Sequence, residues 1–148
     1  MGILPTGYIY PPELRAVRDM LRRRSQLVRL RSKQLSSIQN QIWRSKRIRV
    51  KSGDIKRKRF AIPYLEGLLL QSAQANLTLY RAIDFEIKQL ETTLLKQIEL
   101  APEFKVLKSI IGVGDVLGMT IMFETGNIKR FASMGNYSSY CRCVKSVQ

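Results

Sequence analysis

The stretch PPELRAVRDMLRRRSQLVRLRSKQLSSIQNQI, residues 11–42, decides the fold. Its apolar side chains recur every seven residues, with two more at the intervening four-residue step: Leu14, Leu21, Val28, Leu35 and Ile42, then Val17 and Ile38. A seven-residue apolar repeat is the period of a coiled coil. Pro11 and Pro12 suit a first helical turn, because a missing backbone N–H costs little there. The sequence therefore predicts a long helix that begins at this proline pair.

A second long helix is predicted to begin at Pro63 and to end before Pro102. Its apolar stripe runs at three- and four-residue steps through Leu65, Leu68, Leu79, Ile83, Ile87, Leu90, Leu94 and Ile98. Residues 45–60, between the two helices, form a basic loop or a frayed helix end in this interpretation. Together these segments predict a long antiparallel helical hairpin. Because a hairpin alone buries little surface, we expect it to form homo-oligomers or to pack on a further domain.

The elements become shorter after Pro102. We expect a brief helix over 103–110, a glycine turn over 112–114, a helix over 115–125 closed by Gly126, and a last helix from the Ser133 cap to Tyr140. The predicted fold class is all-α. The predicted domains are a coiled-coil hairpin over 1–101, with its basic loop near 45–60, and a small helix-hairpin-helix-like domain over 102–148.

The charge of the chain is high and uneven. The formal net charge is +15, and residues 1–60 contain 17 Lys or Arg against three acids. Apolar residues make up 45% of the chain, which is enough for a folded core. Because Lys and Arg that neutralise phosphates release condensed counterions, this balance predicts a polyanionic partner, namely DNA or a structured RNA.

The basic residues of the first helix and the following loop are the main predicted nucleic-acid contacts: Arg22, Arg23, Arg24, Arg29, Arg31, Lys33, Arg44, Lys46, Arg47 and Arg49. A merely solvated charged face is the alternative, but the acids that commonly alternate with basic residues on such helices are nearly absent. Two of the arginines, Arg24 and Arg31, fall on the apolar seam. We expect that the seam is loose there or that these guanidinium groups reach solvent or phosphate.

The glycine turn is a second candidate contact. Residues 107–114 resemble the hairpin of helix-hairpin-helix modules, in which glycines permit positive φ and close approach of the backbone to a phosphate. We therefore include Gly112, Val113 and Gly114 among the predicted contacts, together with Lys129 and Arg130. A plain helix–helix turn with two glycines is the alternative.

Catalytic and metal-binding patterns are not recognised in this sequence. A site for two metal ions needs several clustered carboxylates, and the chain has no histidine. The acids that could supply such a site are scattered along the chain: Asp84, Glu86, Glu91, Glu99, Glu103, Asp115 and Glu124. Cys141 and Cys143 are interpreted as reduced thiols. We assign no catalytic residue, metal ligand or cofactor, we expect no signal peptide or membrane span, and we expect a cytoplasmic protein.

Several blocks of the sequence resemble a known family. They are residues 7–11, 15–24, 111–114, 123–131 and 139–144, and they look like the DEDD transposases of the insertion-sequence one-ten family, related to the Piv invertase. The resemblance covers essentially the whole chain, and its blocks occur in the family's order.

The resemblance implies DNA transposition, guided by a structured RNA and dependent on a divalent metal such as Mg²⁺. In that family a RuvC-like domain supplies the metal-binding carboxylates, a coiled coil follows, and a C-terminal domain supplies a catalytic serine. This sequence resembles the coiled coil and the start of the C-terminal domain, as a truncated reading frame would. Ser146 lies near the serine's place but lacks the flanking motif, so it receives no role.

Three hypotheses follow. The chain is a transposase fragment that contributes nucleic-acid binding and assembly and is inactive alone, a stand-alone basic coiled-coil scaffold that binds nucleic acid, or a structural coiled-coil partner whose charge is incidental. The first is the one that the resemblance favours.

Overall fold

A computed structural model describes residues 7–57, 59–63, 65–98 and 101–143. These residues form six α-helices: α1 (Pro12–Lys46), α2 (Ser52–Ile55), α3 (Gly67–Ile98), α4 (Pro102–Lys108), α5 (Asp115–Thr125) and α6 (Met134–Tyr140). The long helices α1 and α3 pack against each other, so the all-α hairpin predicted from the sequence is confirmed. Two residues considered above, Glu99 and Ser146, lie outside the described residues.

Helix α1 begins at the proline pair, as predicted. Pro11 is its N-cap, and Glu13 lies in the first turn, where the helix dipole favours a negative charge. The helix continues to Lys46 and ends at Arg47, which has a φ of 57° and donates its backbone N–H to the Trp43 carbonyl at 2.8 Å. This left-handed residue turns the chain out of the helix.

The predicted start of the second helix is wrong. Helix α3 begins at Gly67 rather than at Pro63. Leu65 is buried before the helix starts, and Phe60 and Ile62 pack against the same core, so the chain approaches α3 as an irregular segment that covers apolar surface. Gly67 has a φ of +56°, a conformation that costs glycine little, and it makes the turn into the helix.

Two ion pairs show how α1 and α3 are aligned. Arg24 contacts Glu91 at 2.7 Å, and Arg31 contacts Asp84 at 2.5 Å. The arginines are seven residues apart and so are the acids, in the reverse order, as an antiparallel pair with a constant register requires. The same register brings Leu21 level with Leu94.

The core has two separate clusters, one toward each end of the hairpin. The proximal cluster joins the hairpin to α4 and α5 through Leu21, Leu94, Ile98, Phe104, Met119 and Phe123. The distal cluster lies at the other end of the hairpin and contains Leu35, Ile38, Ile42, Ile55, Leu65, Ala73, Leu77 and Tyr80. The two ion pairs lie between these clusters. Hereafter the proximal and distal ends of the hairpin are the ends that hold these clusters.

The predicted apolar stripe is wrong in the first half of α3. Leu68 and Leu79 are 82% and 51% exposed, and Ala73, Leu77 and Tyr80 face α1 instead. The prediction chose the stripe from aliphatic residues at three- and four-residue steps. The register selects a small and an aromatic residue here, because Ala73 lies level with Ile42 and Tyr80 with Leu35.

The C-terminal elements follow the sequence closely. Helices α4, α5 and α6 occupy the predicted segments, and the Ser133 hydroxyl caps α6 by accepting the Asn136 N–H at 3.2 Å. Gly112 and Gly126 have φ of +90° and +64°, which favours glycine at both turns. Gly118 allows α4 and α5 to pack closely, since an added Cβ would lie 3.1 Å from the Phe104 ring.

Candidate nucleic-acid interface

Five basic residues at the distal end of the hairpin form an exposed surface: Lys33, Arg44, Lys46, Arg47 and Arg49. We call them the distal basic surface. The sequence contains no Asp or Glu between Asp19 and Asp54. Within the part of the chain that the structure describes, none of the five forms an ion pair. Their positive charges are therefore available to an external anion.

A shallow groove runs along α1 beside this surface. Its lining is Ser32, Lys33, Ser36, Ser37, Asn40, Trp43 and Arg44. Serine hydroxyls and the asparagine amide can hydrogen-bond to phosphate or sugar oxygens, while the basic groups supply charge. The groove combines the two kinds of group that commonly contact a nucleic-acid backbone.

The loop after α1 is held to the hairpin. The Gln39 amide donates to the Val50 carbonyl at 2.8 Å and to the Ser52 hydroxyl at 3.2 Å. Ile55, in α2, is buried in the distal cluster. The segment predicted as a basic loop or a frayed helix end therefore contains a short helix. The Gln39 hydrogen bonds and the burial of Ile55 fix this segment, and with it the position of its arginines, on the hairpin.

Three of the predicted contact residues form ion pairs within the fold. Arg22 forms a two-pronged pair with Glu124, with Nε–Oε1 and Nη2–Oε2 distances of 2.7 Å. Arg24 and Arg31 pair with acids of α3, as described above. Both expectations for these seam arginines, a loose seam or a guanidinium that reaches outward, are wrong, because α3 places a carboxylate opposite each one. Arg23 and Arg29 are exposed.

Hydrogen bonds from basic groups lower the pKa of two carboxyls, Glu124 and Asp84. For Glu124, the hydrogen bond from Arg22 lowers the pKa, and this outweighs burial, which raises it. For Asp84, burial raises the pKa, but hydrogen bonds from Lys88 and Arg31 and the charges of both groups together lower it below its ordinary value. Both carboxyls are therefore held in the charged form that their basic partners require.

Arg130 lies inside an aromatic cluster. Its guanidinium carbon is 4.1 Å from the Tyr8 ring centroid, 4.2 Å from that of Phe131 and 4.6 Å from that of Tyr140. Its Nε donates to the Thr125 carbonyl at 3.1 Å. These contacts tie the N-terminal segment to the end of α5, so this arginine has a structural use in addition to the predicted contact. The neighbouring Lys129 is exposed.

The glycine turn lies between α4 and α5. Gly112 has a positive φ, but Gly114 is extended, with φ of −79° and ψ of 176°, and serves as the N-cap of α5. Val113 is half-buried. Asp115 occupies the first turn of α5 and pairs with Lys108 across the turn. A phosphate that approaches the N-terminus of α5 would meet this neutralised pair.

The described residues contain no group of three or more Cys, Asp or Glu side chains placed to hold a metal ion. Cys141 and Cys143 are exposed free thiols. Within the described segments, no helix is both long and apolar enough to cross a membrane.

No family model, curated protein or solved structure matches this chain. The likeness to the insertion-sequence one-ten family remains a prediction that is based on the sequence blocks given above.

Proposed function

We propose that this chain binds nucleic acid through the distal basic surface, as the part of a DNA transposase that contacts DNA or a structured RNA and assembles the complex. The observation that carries the proposal is the absence of any acid on α1 beyond Asp19, combined with five exposed basic residues that have no ion pair among the described residues. Phosphate groups of a nucleic-acid backbone can neutralise these positive charges, and this interaction needs no base-specific contact.

The place of the chain in a transposase is proposed from the resemblance of its sequence blocks, and the structure shows where those blocks lie. The Tyr10 hydroxyl, from the first block, donates to the Phe123 carbonyl at 2.7 Å. The Tyr140 hydroxyl, from the last block, donates to the Glu124 carbonyl at 2.8 Å. Three of the blocks therefore contact one another in this fold. The divalent metal and the catalytic serine of the family are proposed for the other parts of such a transposase and not for this chain, and the cytoplasmic location stays a prediction from the sequence.

We propose that the chain contributes to assembly of the complex by associating with a second copy of itself. Between Gly67 and Tyr80, helix α3 carries no charged residue. Its outward face there includes Leu68, Leu69 and Leu79, all of which are exposed. Two copies with a net charge of +15 each repel one another, so an uncharged apolar face is the surface through which they can approach at least cost.

The binding proposal is tested with a matched pair of variants. Lys46 and Lys96 are both exposed and lie in the last turns of α1 and α3. We expect Lys46→Gln to weaken binding to a labelled DNA duplex and to flatten the slope of log K against log salt by about one. Lys96→Gln should change neither. The triple variant of Arg44, Lys46 and Arg49 to Gln should flatten the slope by about three.

Fluorescence anisotropy over a range of salt concentrations measures both quantities. An affinity that does not depend on salt would overturn the proposal, as would equal losses in the Lys46→Gln and Lys96→Gln variants. Binding alone does not separate a transposase part from a stand-alone scaffold. A neighbouring reading frame that encodes RuvC-like carboxylates would favour the transposase.

A further inference from the structure

The chain has a single tryptophan, Trp43, and it lies in the middle of the distal basic surface. Its side chain is 37% exposed. Trp is a large apolar residue that a stable fold usually buries, and here it contributes to neither core cluster. It borders the polar groove of α1 and precedes Arg44 in the chain.

The end of α1 arranges two arginines around this ring. Because Arg47 adopts a left-handed conformation, the chain turns back and brings Arg49 beside the indole. The guanidinium carbons of Arg47 and Arg49 lie 5.8 and 5.2 Å from the ring centroid. These distances are within the range of cation–π attraction.

The same distances show that the arginines border the ring rather than cover it. Elsewhere in the fold, arginines that pack on a ring are closer: Arg18 lies 3.9 Å from the Tyr10 centroid, and Arg130 lies 4.1 Å from that of Tyr8. Those two arginines serve the fold. The looser arrangement at Trp43 leaves aromatic surface accessible between groups that attract phosphate.

The groove extends the site along α1. From Ser32 to Arg44 it follows the helix for ~18 Å, at 1.5 Å per residue. The carbonyls at the end of α1 carry partial negative charge, which disfavours a phosphate on the helix axis, but Arg44 and Lys46 in the last turn offset it. A flexible strand can therefore follow the groove and end at the indole.

We infer that Trp43 stacks with an unpaired base of single-stranded nucleic acid, while Arg44, Arg47 and Arg49 contact the adjacent phosphates. Stacking on an exposed aromatic ring needs an accessible base face, which a duplex does not offer along its length. The distal end thereby distinguishes unpaired nucleotides from duplex, a property that a basic surface alone does not have. This inference rests on the proposed nucleic-acid binding.

Because Trp43 is the only tryptophan, its fluorescence reports on this site alone. The probes are a single-stranded oligothymidylate, an abasic phosphodiester of the same length, and a duplex of the same length. We expect the oligothymidylate to quench the fluorescence strongly. The abasic strand and the duplex should bind with little quenching, since neither presents an accessible base face.

Three variants test the stacking by anisotropy. Trp43→Ala should weaken binding of the oligothymidylate about 5- to 100-fold, the range that base stacking on an aromatic ring supports. Trp43→Phe should keep most of the affinity, because it keeps a ring. Leu30→Ala is the matched control: Leu30 is 40% exposed on the same helix, lies between Arg29 and Arg31, and has no ring. Its affinity should equal that of the wild type.

The results separate this inference from the proposed function. If the chain binds none of the probes, both fail. If it binds all of them in a salt-dependent manner, but the indole is not quenched and Trp43→Ala behaves like Leu30→Ala, only the stacking is overturned. Quenching of the wild type does not depend on whether a variant folds, and helical content measured by circular dichroism checks each variant.

Discussion

At the proximal end of the hairpin and along its middle, three arginines of α1 meet carboxylates: Arg22 pairs with Glu124, Arg24 with Glu91 and Arg31 with Asp84. At the distal end, the basic residues of the same helix meet none within the described residues. The cause lies on the partner helix. Between Glu66 and Asp84, α3 has no acid, so the half of α3 that faces the distal end has no carboxylate to offer.

This difference indicates that the role of a basic residue on α1 depends on whether a neighbouring helix, chiefly α3, places a carboxylate opposite it. Where α3 carries acids, the charge fixes the register of the hairpin. Where α3 is uncharged, the positive charge remains for an external anion. The predictions below test this division, from the largest expected effect to the smallest.

The first prediction compares two apolar positions of α1. Leu21 is buried in the proximal cluster, and Leu21→Asp should lower the free energy of unfolding by at least ~3 kcal/mol, because the carboxylate would be desolvated among apolar side chains. Val28 is half-buried between Arg24 and Arg31. Val28→Asp should cost clearly less, because this position is only half-buried and the new carboxylate keeps part of its hydration.

Urea unfolding measures both costs, and sedimentation of each variant shows whether self-association is lost with the fold. Equal destabilisation by the two substitutions would contradict the prediction that a carboxylate costs less at the half-buried Val28 than at the buried Leu21.

The second prediction makes one substitution in two environments. Arg130→Lys keeps the charge but loses the planar contact with three rings and the bond to the Thr125 carbonyl, so it should destabilise the fold by about 2 kcal/mol. Arg49→Lys, on the exposed distal surface, should change stability by less than about 0.5 kcal/mol. Thermal unfolding compares them. A larger loss for Arg49→Lys would reverse the two roles.

Much of the fold follows from local signals. Pro12 begins α1, Gly126 closes α5 and Ser133 caps α6, because each of these choices depends on the backbone of a few neighbouring residues. The faces of α3 were predicted less well. Whether Leu68 or Ala73 is buried depends on the register with α1, which no local pattern specifies.

The candidate site shows the same limit. The exposed basic residues near Arg44 could be found from charge alone, whereas the internal use of Arg24 and Arg31 could not. A signal was nevertheless present: Asp84 and Glu91 have the same seven-residue spacing as those arginines. For Arg130, the aromatic partner Tyr8 lies far away in the sequence, and only the folded chain brings the two together.

The third prediction uses pH to test the middle ion pairs. Asp84→Asn removes the partner of Arg31 and Lys88 and should lower the free energy of unfolding at neutral pH by about 1.5 kcal/mol. The folded-state pKa of Asp84 is below its ordinary value of 3.8. The stabilisation is therefore fully present above that value and disappears as the pH falls through the folded-state pKa.

The difference in stability between wild type and Asp84→Asn should accordingly be constant from neutral pH down to about pH 5 and shrink below pH 4. Denaturant unfolding at a series of pH values measures it. A difference that stays constant to the lowest pH at which the fold persists would show that the carboxylate charge is not what stabilises this pair.

The last and smallest prediction asks whether the glycine turn shares the role of the distal end. Gly112→Ala should cost about 1 kcal/mol of stability, because its φ of +90° disfavours a Cβ. Gly114 is extended and has nothing within 4 Å of an added Cβ, so Gly114→Ala should leave stability unchanged. If the backbone of the turn approaches a phosphate, as the resemblance to helix-hairpin-helix modules implies, the methyl group added in Gly114→Ala should still weaken duplex binding, by about threefold.

Anisotropy on the folded Gly114→Ala variant separates an effect on phosphate contact from an effect on stability. An unchanged affinity would mean that residues 112–114 only connect α4 to α5.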